Sequence, residues 1–143
     1  MSTHDNKSVI QAFIEDVINQ GHLDRADDIV IEDFVELDPL PGQAQGREGL
    51  KDVIRQIRSA FPDIRWTVDE MVAEGDKVFS RFTWSGTHEG AFLGVPATGR
   101  RITVKGMVID RLAAGKMADS RILMDTLGMM QQLGALPAPP TEG

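Results

Sequence analysis

Val78-Phe79-Ser80-Arg81-Phe82-Thr83-Trp84-Ser85-Gly86-Thr87-His88 reads in period two, with Val78, Ser80, Phe82, Trp84, Gly86 and His88 on one side. A strand has that side-chain period. Working outward, Gly75-Asp76 is a hairpin-like turn, and Ile64-Arg65-Trp66-Thr67-Val68 begins the strand before it. Residues 90–99 form a loop containing Gly94, Pro96 and Gly99. Ile102 to Leu112 and Met117 to Thr126 read as two further strands, joined by Ala113-Ala114-Gly115-Lys116.

Upstream of the strands the period changes. Val9, Ile10, Phe13, Ile14, Val17 and Ile18 recur at helical spacing and make one apolar stripe. Ser8 with Gln11 fits a capping box at the start, and Gly21 fits the end. Leu23 to Ile29 reads as a short second helix, and Phe34-Val35-Glu36-Leu37 as a brief extended piece. A third helix runs from about Arg47 to Ala60, with Leu50, Val53, Ile54, Ile57 and Phe61 on its apolar side and Pro62 as its stop. Helices first and antiparallel strands afterwards describe an α+β fold. Long antiparallel strands twist and coil. Three helices laid on the concave side of such a sheet leave its middle unfilled, so a ligand pocket is expected there. The chain reads as one domain, residues 1–136, followed by a Pro-rich tail, 137–143, expected to be disordered.

The 143 residues carry a formal charge of −7, which argues against a phosphate-backbone partner. Cysteine is absent, which excludes disulfides, thiolate metal sites and Cys nucleophiles. The opening residues Met1 to Lys7 are polar and no stretch reaches membrane-helix length, so the expectation is a cytoplasmic protein with no membrane partner. His4, His22 and His88 are scattered without metal-ligand spacing. The loop 90–99 has neither the glycine order nor the following helix of a nucleotide site.

Three elements carry a family resemblance: Ala60-Phe61-Pro62-Asp63; Gly86-Thr87-His88-Glu89-Gly90 with Gly94-Val95-Pro96-Ala97-Thr98-Gly99-Arg100; and Gly115-Lys116 with Asp125-Thr126-Leu127-Gly128 and Gln131-Gln132-Leu133-Gly134-Ala135. Together, from about Val9 to Pro137, they resemble the SnoaL-like polyketide cyclases. The resemblance implies a cone-shaped fold of the nuclear-transport-factor-2-like type, three N-terminal helices on a strongly curved antiparallel or mixed sheet. It also implies an oligomer without metal or cofactor. The family activity it implies is intramolecular aldol closure of an anthraquinone-type polyketide ester, with related members assisting hydroxylation of such polyketides.

Aldol closure needs a base for an acidic C–H proton and a group that stabilises the enolate. The resemblance implies an acid/base Asp on the last long strand, and Asp125 is the position that matches it. Asp119, Arg121 and Asp125 point one way by period two, and Arg121 is the candidate for the enolate oxygen. A solvated outer face with ordinary ion pairs is the other reading of that row. A three-residue turn at Gly115 sets Arg111 beside them, while a two- or four-residue turn brings Asp110 there instead; the register stays open. His88 either binds substrate at the pocket mouth or hydrogen-bonds the loop 90–99. Phe13, Trp66 and Trp84 are candidate walls for a flat ligand, with plain core packing as the alternative. The expected partners are a hydrophobic polycyclic small molecule and a second or further copies of the chain, as homodimer or tetramer. A non-catalytic binding protein of the same fold is the remaining alternative.

Overall fold

Ser2 opens the first helix: its side chain accepts from the Asp5 N–H while Asp5 answers to the Ser2 N–H. That reciprocal cap places the helix start six residues before the expected Ser8, because Asp serves at the third position as Gln11 was expected to serve. The computed structural model describes residues 2–137, so the expected tail, apart from Pro137, lies outside the described residues. Helix α1 spans Thr3–Ala12 and continues through a wider π-type stretch, Phe13–Asn19. A single 3₁₀ turn, Leu23–Arg25, leads into the short α2, Ala26–Ile29.

Strand β1, Val30–Glu36, follows, then α3, Gly46–Ala60. The sheet is completed by β2 (Arg65–Glu74), β3 (Lys77–Thr87), β4 (Arg101–Ala113) and β5 (Lys116–Met124). A last helix, α4 (Thr126–Gln132), was not expected from the sequence. The strand order is β1-β5-β4-β3-β2, antiparallel except for the parallel pair β1 and β5. The protein is therefore an α+β fold on a mixed sheet. Among the described residues no helix is long and apolar enough to cross a membrane.

Burial follows the alternation in β3: Val78, Ser80, Phe82, Trp84 and Gly86 face inward, and His88 beyond the strand is also buried. In β4 the inward set is Ile102, Val104, Val108, Asp110 and Leu112. Phe13, Ile14, Val17 and Ile18, in the widened helical stretch, pack into the same core. The outer sheet face carries charge, but it also exposes Val72, Met107, Ile109 and Leu123.

Gly106 of β4 lies directly opposite Phe82 of β3. A Cβ there would stand 2.4 Å from Phe82 Cζ and 2.7 Å from the Leu123 carbonyl oxygen. Phe82 is fully buried and stacks on Trp66 at 4.2 Å, so its ring has little room to withdraw. Gly106→Ala should therefore destabilise by about 1–3 kcal/mol, as overpacking generally does. Thermal melting reads this; an unchanged Tm would mean that the ring can move.

Candidate active site

The helices and the concave side of the sheet enclose a cavity of about 470 Å³. Its walls are mostly hydrocarbon, with Ile10, Phe13, Ile14 and Ile18 from the first helix and Leu50, Val53, Ile54 and Ile57 from α3. The polar groups that line it are few: Glu36, Asp38, Gln43, Arg58, Asp110, Ser120 and Thr126. An apolar vessel with a small set of polar groups is the common form of a small-molecule site.

The floor is set by the β4–β5 hairpin. Ala114 and Gly115 both have positive φ, 50° and 81°, and Ala113 pairs with Lys116, so the turn has two residues. Such a turn, continued regularly, would place Asp110 opposite Asp119. Instead the register shifts after Leu112↔Met117, and the next pairs are Arg111↔Asp119 and Asp110↔Ser120. Ala118 is the extra residue, a β-bulge, and it is buried like its neighbour Met117. Turn and bulge together have the parity of the three-residue alternative. Arg111, Asp119 and Arg121 therefore face outward, while Asp110, Ser120 and Ile122 face the cavity.

Parallel pairing of β1 with β5 sets Glu36 opposite Ser120 on the other side. The floor thus carries a cross-strand row, Glu36–Ser120–Asp110, on neighbouring strands about 4.8 Å apart. Asp110 is 4% exposed. Burial raises its pKa from 3.8 to about 7; the Ser120 hydroxyl bond opposes the rise and the Asp119 charge adds to it. Glu36 is raised from 4.5 to about 8, first by burial and then by the charges of Asp110 and Asp38, with the nearby Ser120 hydroxyl opposing the rise. Repulsion between two carboxylates is mutual, so the pair shares its ionisation rather than titrating as two independent groups. The Glu36 Oε2 atom is shut from solvent and has no hydrogen-bond partner among the described residues.

The residues singled out in the sequence separate. Phe13, Trp66 and Asp110 line the cavity. Trp66 is held from both sides. Its backbone N–H donates to Asn19 Oδ1 at 2.7 Å, its carbonyl accepts from Asn19 Nδ2 at 3.0 Å, and its ring stacks on Phe82. Trp84 lies behind the wall, 1% exposed, with its indole N–H directed at Met124 Sδ. His88 is fully buried outside the cavity; its Nδ1 accepts from the Thr98 N–H at 3.2 Å and its ring stacks on Phe61. It ties down the loop 90–99 rather than meeting a ligand.

Asp119 and Arg121 stand on the outer face, where Arg111 Nε donates to Asp119 at 2.6 Å and Arg121 is exposed. Asp125 is exposed as well. The strand has ended before it, and its carboxylate accepts from the Gly128 N–H at 2.9 Å as the N-cap of α4. The expected row of Asp119, Arg121 and Asp125 therefore lies outside the cavity, because the bulge directs the first two outward and α4 takes the third. Glu36 and Ser120 were missed. Phe34 and Glu36 share a face by period two, which would have brought Glu36 inward with the buried Phe34.

A five-stranded mixed sheet packed with helices over an apolar cavity is an α+β fold of the nuclear-transport-factor-2-like type. Residues 8–133 match the family model of the SnoaL-like polyketide cyclases, and the chain belongs to that family. It is 31% identical over 127 residues to aklanonic acid methyl ester cyclase DnrD of Streptomyces peucetius, spanning 83% of this chain and 86% of that protein. Nogalonic acid methyl ester cyclase of Streptomyces nogalater is 28% identical over 127 residues, spanning 87% and 94%. Among solved structures, TsrD from Streptomyces laurentii superposes with a TM-score of 0.87 at 33% identity, covering 95% of this chain and 99% of that one.

The raised carboxyl has a consequence for stability. Between the ordinary Asp value of 3.8 and about 7, folded protein keeps on Asp110 a proton that the unfolded chain has released. Stability must therefore fall as pH rises across that window. Asp110→Asn removes this loss, so its Tm should exceed wild type by several degrees at pH 8 and converge with it near pH 4. A Tm difference independent of pH would contradict the assigned burial of charge.

Proposed function

We propose that the protein closes a ring in an esterified polyketide by intramolecular aldol addition, with Asp110 as the base. One observation carries the reading: a buried carboxyl, raised to about 7, on the floor of a cavity whose walls are otherwise largely hydrocarbon. A C–H flanked by two carbonyl groups is already acidic, and a carboxylate poised near neutral pH is a well-matched acceptor for its proton. The names of the two cyclase relatives, both acting on methyl esters, support the ester and the ring closure.

The walls suit a flat, largely apolar molecule. Phe13 and Trp66 offer ring faces, and 470 Å³ lies within the usual range for a small-molecule site. With Arg121 outside, the enolate oxygen needs other donors. Ser120 is next to the base, and Gln43 lines the cavity with its Oε1 already accepting from the Leu40 N–H, which leaves its amide hydrogens. Arg58 keeps its positive charge, but its Nη1 is turned to the Ile18 and Asn19 carbonyls at 2.7 and 2.8 Å.

The test is turnover of aklanonic acid methyl ester with and without oxygen. Wild type should close the ring in both, and Asp110→Asn should lower kcat by about 10²–10⁴-fold, the usual worth of a positioned base. kcat/KM should rise with pH toward about 7, as Asp110 ionises. Oxygen-dependent product would point instead to assisted hydroxylation. An unimpaired Asp110→Asn enzyme would remove Asp110 from the chemistry.

A further inference from the structure

Ring closure moves two protons, and a single carboxylate accounts for only one of them at the moment of bond formation. The base removes a proton from carbon, and the attacked carbonyl oxygen must gain one as the new C–C bond forms. The cavity floor holds a second carboxyl. Glu36 reaches it from β1, across Ser120 from Asp110, and lines the same cavity.

The two carboxyls are not equivalent. Glu36 Oε2 is sealed from solvent and, among the described residues, accepts no hydrogen bond. Two carboxylates, Asp110 and Asp38, oppose charge on Glu36, while Asp119 opposes charge on Asp110. A charged oxygen without partner or water is costly to bury, while a neutral carboxyl in the same place costs far less. The neighbours push the same way. Asp110 from β4 and Asp38 from the segment after β1 oppose charge on Glu36, Ser120 from β5 offers a hydroxyl, and Arg58 from α3, the one cation lining the cavity among the described residues, turns its Nη1 to backbone carbonyls.

We propose that Glu36 is a second catalytic residue, the general acid that protonates the attacked carbonyl oxygen while Asp110 acts as base. The inference rests on the aldol reading and divides its labour. The activated C–H gives its proton to the Asp110 carboxylate, and the electron pair left on carbon forms the new bond to the carbonyl carbon. The carbonyl π pair moves onto oxygen, which takes the Glu36 proton and becomes the hydroxyl of the product. Asp110 is then protonated and Glu36 ionised. The Ser120 hydroxyl between them accepts from the first and donates to the second, which restores the starting state.

The two proton transfers can be read separately with aklanonic acid methyl ester in deuterium oxide. Exchange of its activated C–H above the buffer rate reports the base, and ring closure reports both groups. Glu36→Gln should keep exchange within about threefold of wild type and lose ring closure by about 10²-fold or more. Glu36→Asp, which restores an acid on a shorter arm, should recover part of the closure. Asp110→Asn should lose both. Retained exchange in Glu36→Gln also shows that the variant is folded with its cavity intact. Wild-type ring closure by Glu36→Gln, or loss of exchange together with closure in a folded Glu36→Gln, overturns the division of labour. Exchange and closure unimpaired in Asp110→Asn would overturn the aldol base instead. A wild type that neither exchanges nor closes this ester overturns both.

Discussion

One extra residue in β5 decides what the cavity can do. A two-residue turn at Ala114-Gly115, continued regularly, would have turned Asp119 and Arg121 inward beside Asp110. That would bury a dense charge row in a space lined by Ile10, Ile14 and Val108. The bulge at Ala118 exchanges the faces of β5, so the charged residues pair in solvent and Ser120, Ile122 and Met124 line the pocket. The parallel strand β1 then docks against the same edge and places Glu36 next to Ser120. The floor is thus a product of strand register, and register in a half-buried sheet allows no intermediate setting.

Around that floor the fold supplies a largely apolar vessel. Asn19, at the end of the widened helical stretch, grips the Trp66 backbone by both its N–H and its carbonyl. Arg58 of α3 donates to the last carbonyls of the same stretch. Two helices and the sheet edge are therefore locked together by polar contacts at the rim, leaving hydrocarbon to face the interior. Excluding water has one effect on two groups: it raises both carboxyls toward neutrality, where one can accept a proton and the other can give one.

Much of this was legible in the sequence. The period-two run from Val78 to His88 identifies the inward face of β3 residue by residue, and the helical stripe from Ile10 to Ile18 identifies a cavity wall. Phe13, Trp66 and Asp110 were singled out and line the cavity. Asp125 was not legible as a cap, because Asp-Thr-Leu-Gly after an apolar run reads equally as a strand end or as the first turn of α4. The bulge left no mark either: Met117-Ala118-Asp119 has no residue that demands it, and only the packed sheet reveals two adjacent buried side chains. Glu36 shares the face of Phe34 by period two, but a segment of four residues does not by itself say which face is inward. Its inward orientation depends on pairing with β5, some 80 residues downstream, as Glu36↔Ser120 shows.

The central claim is that two carboxyls with raised pKa values, the buried Asp110 and the half-buried Glu36, share one cavity floor. Carboxyl-¹³C NMR of protein labelled at Asp and Glu, titrated from pH 3 to 10, tests it most directly. Two resonances should titrate near neutrality, and Asp110→Asn should remove one of them while lowering the midpoint of the other, because Asp110's charge opposes ionisation of Glu36. If every carboxyl of the wild type has titrated below about pH 5, the ordinary range for Asp and Glu, the floor is wet and the account is wrong.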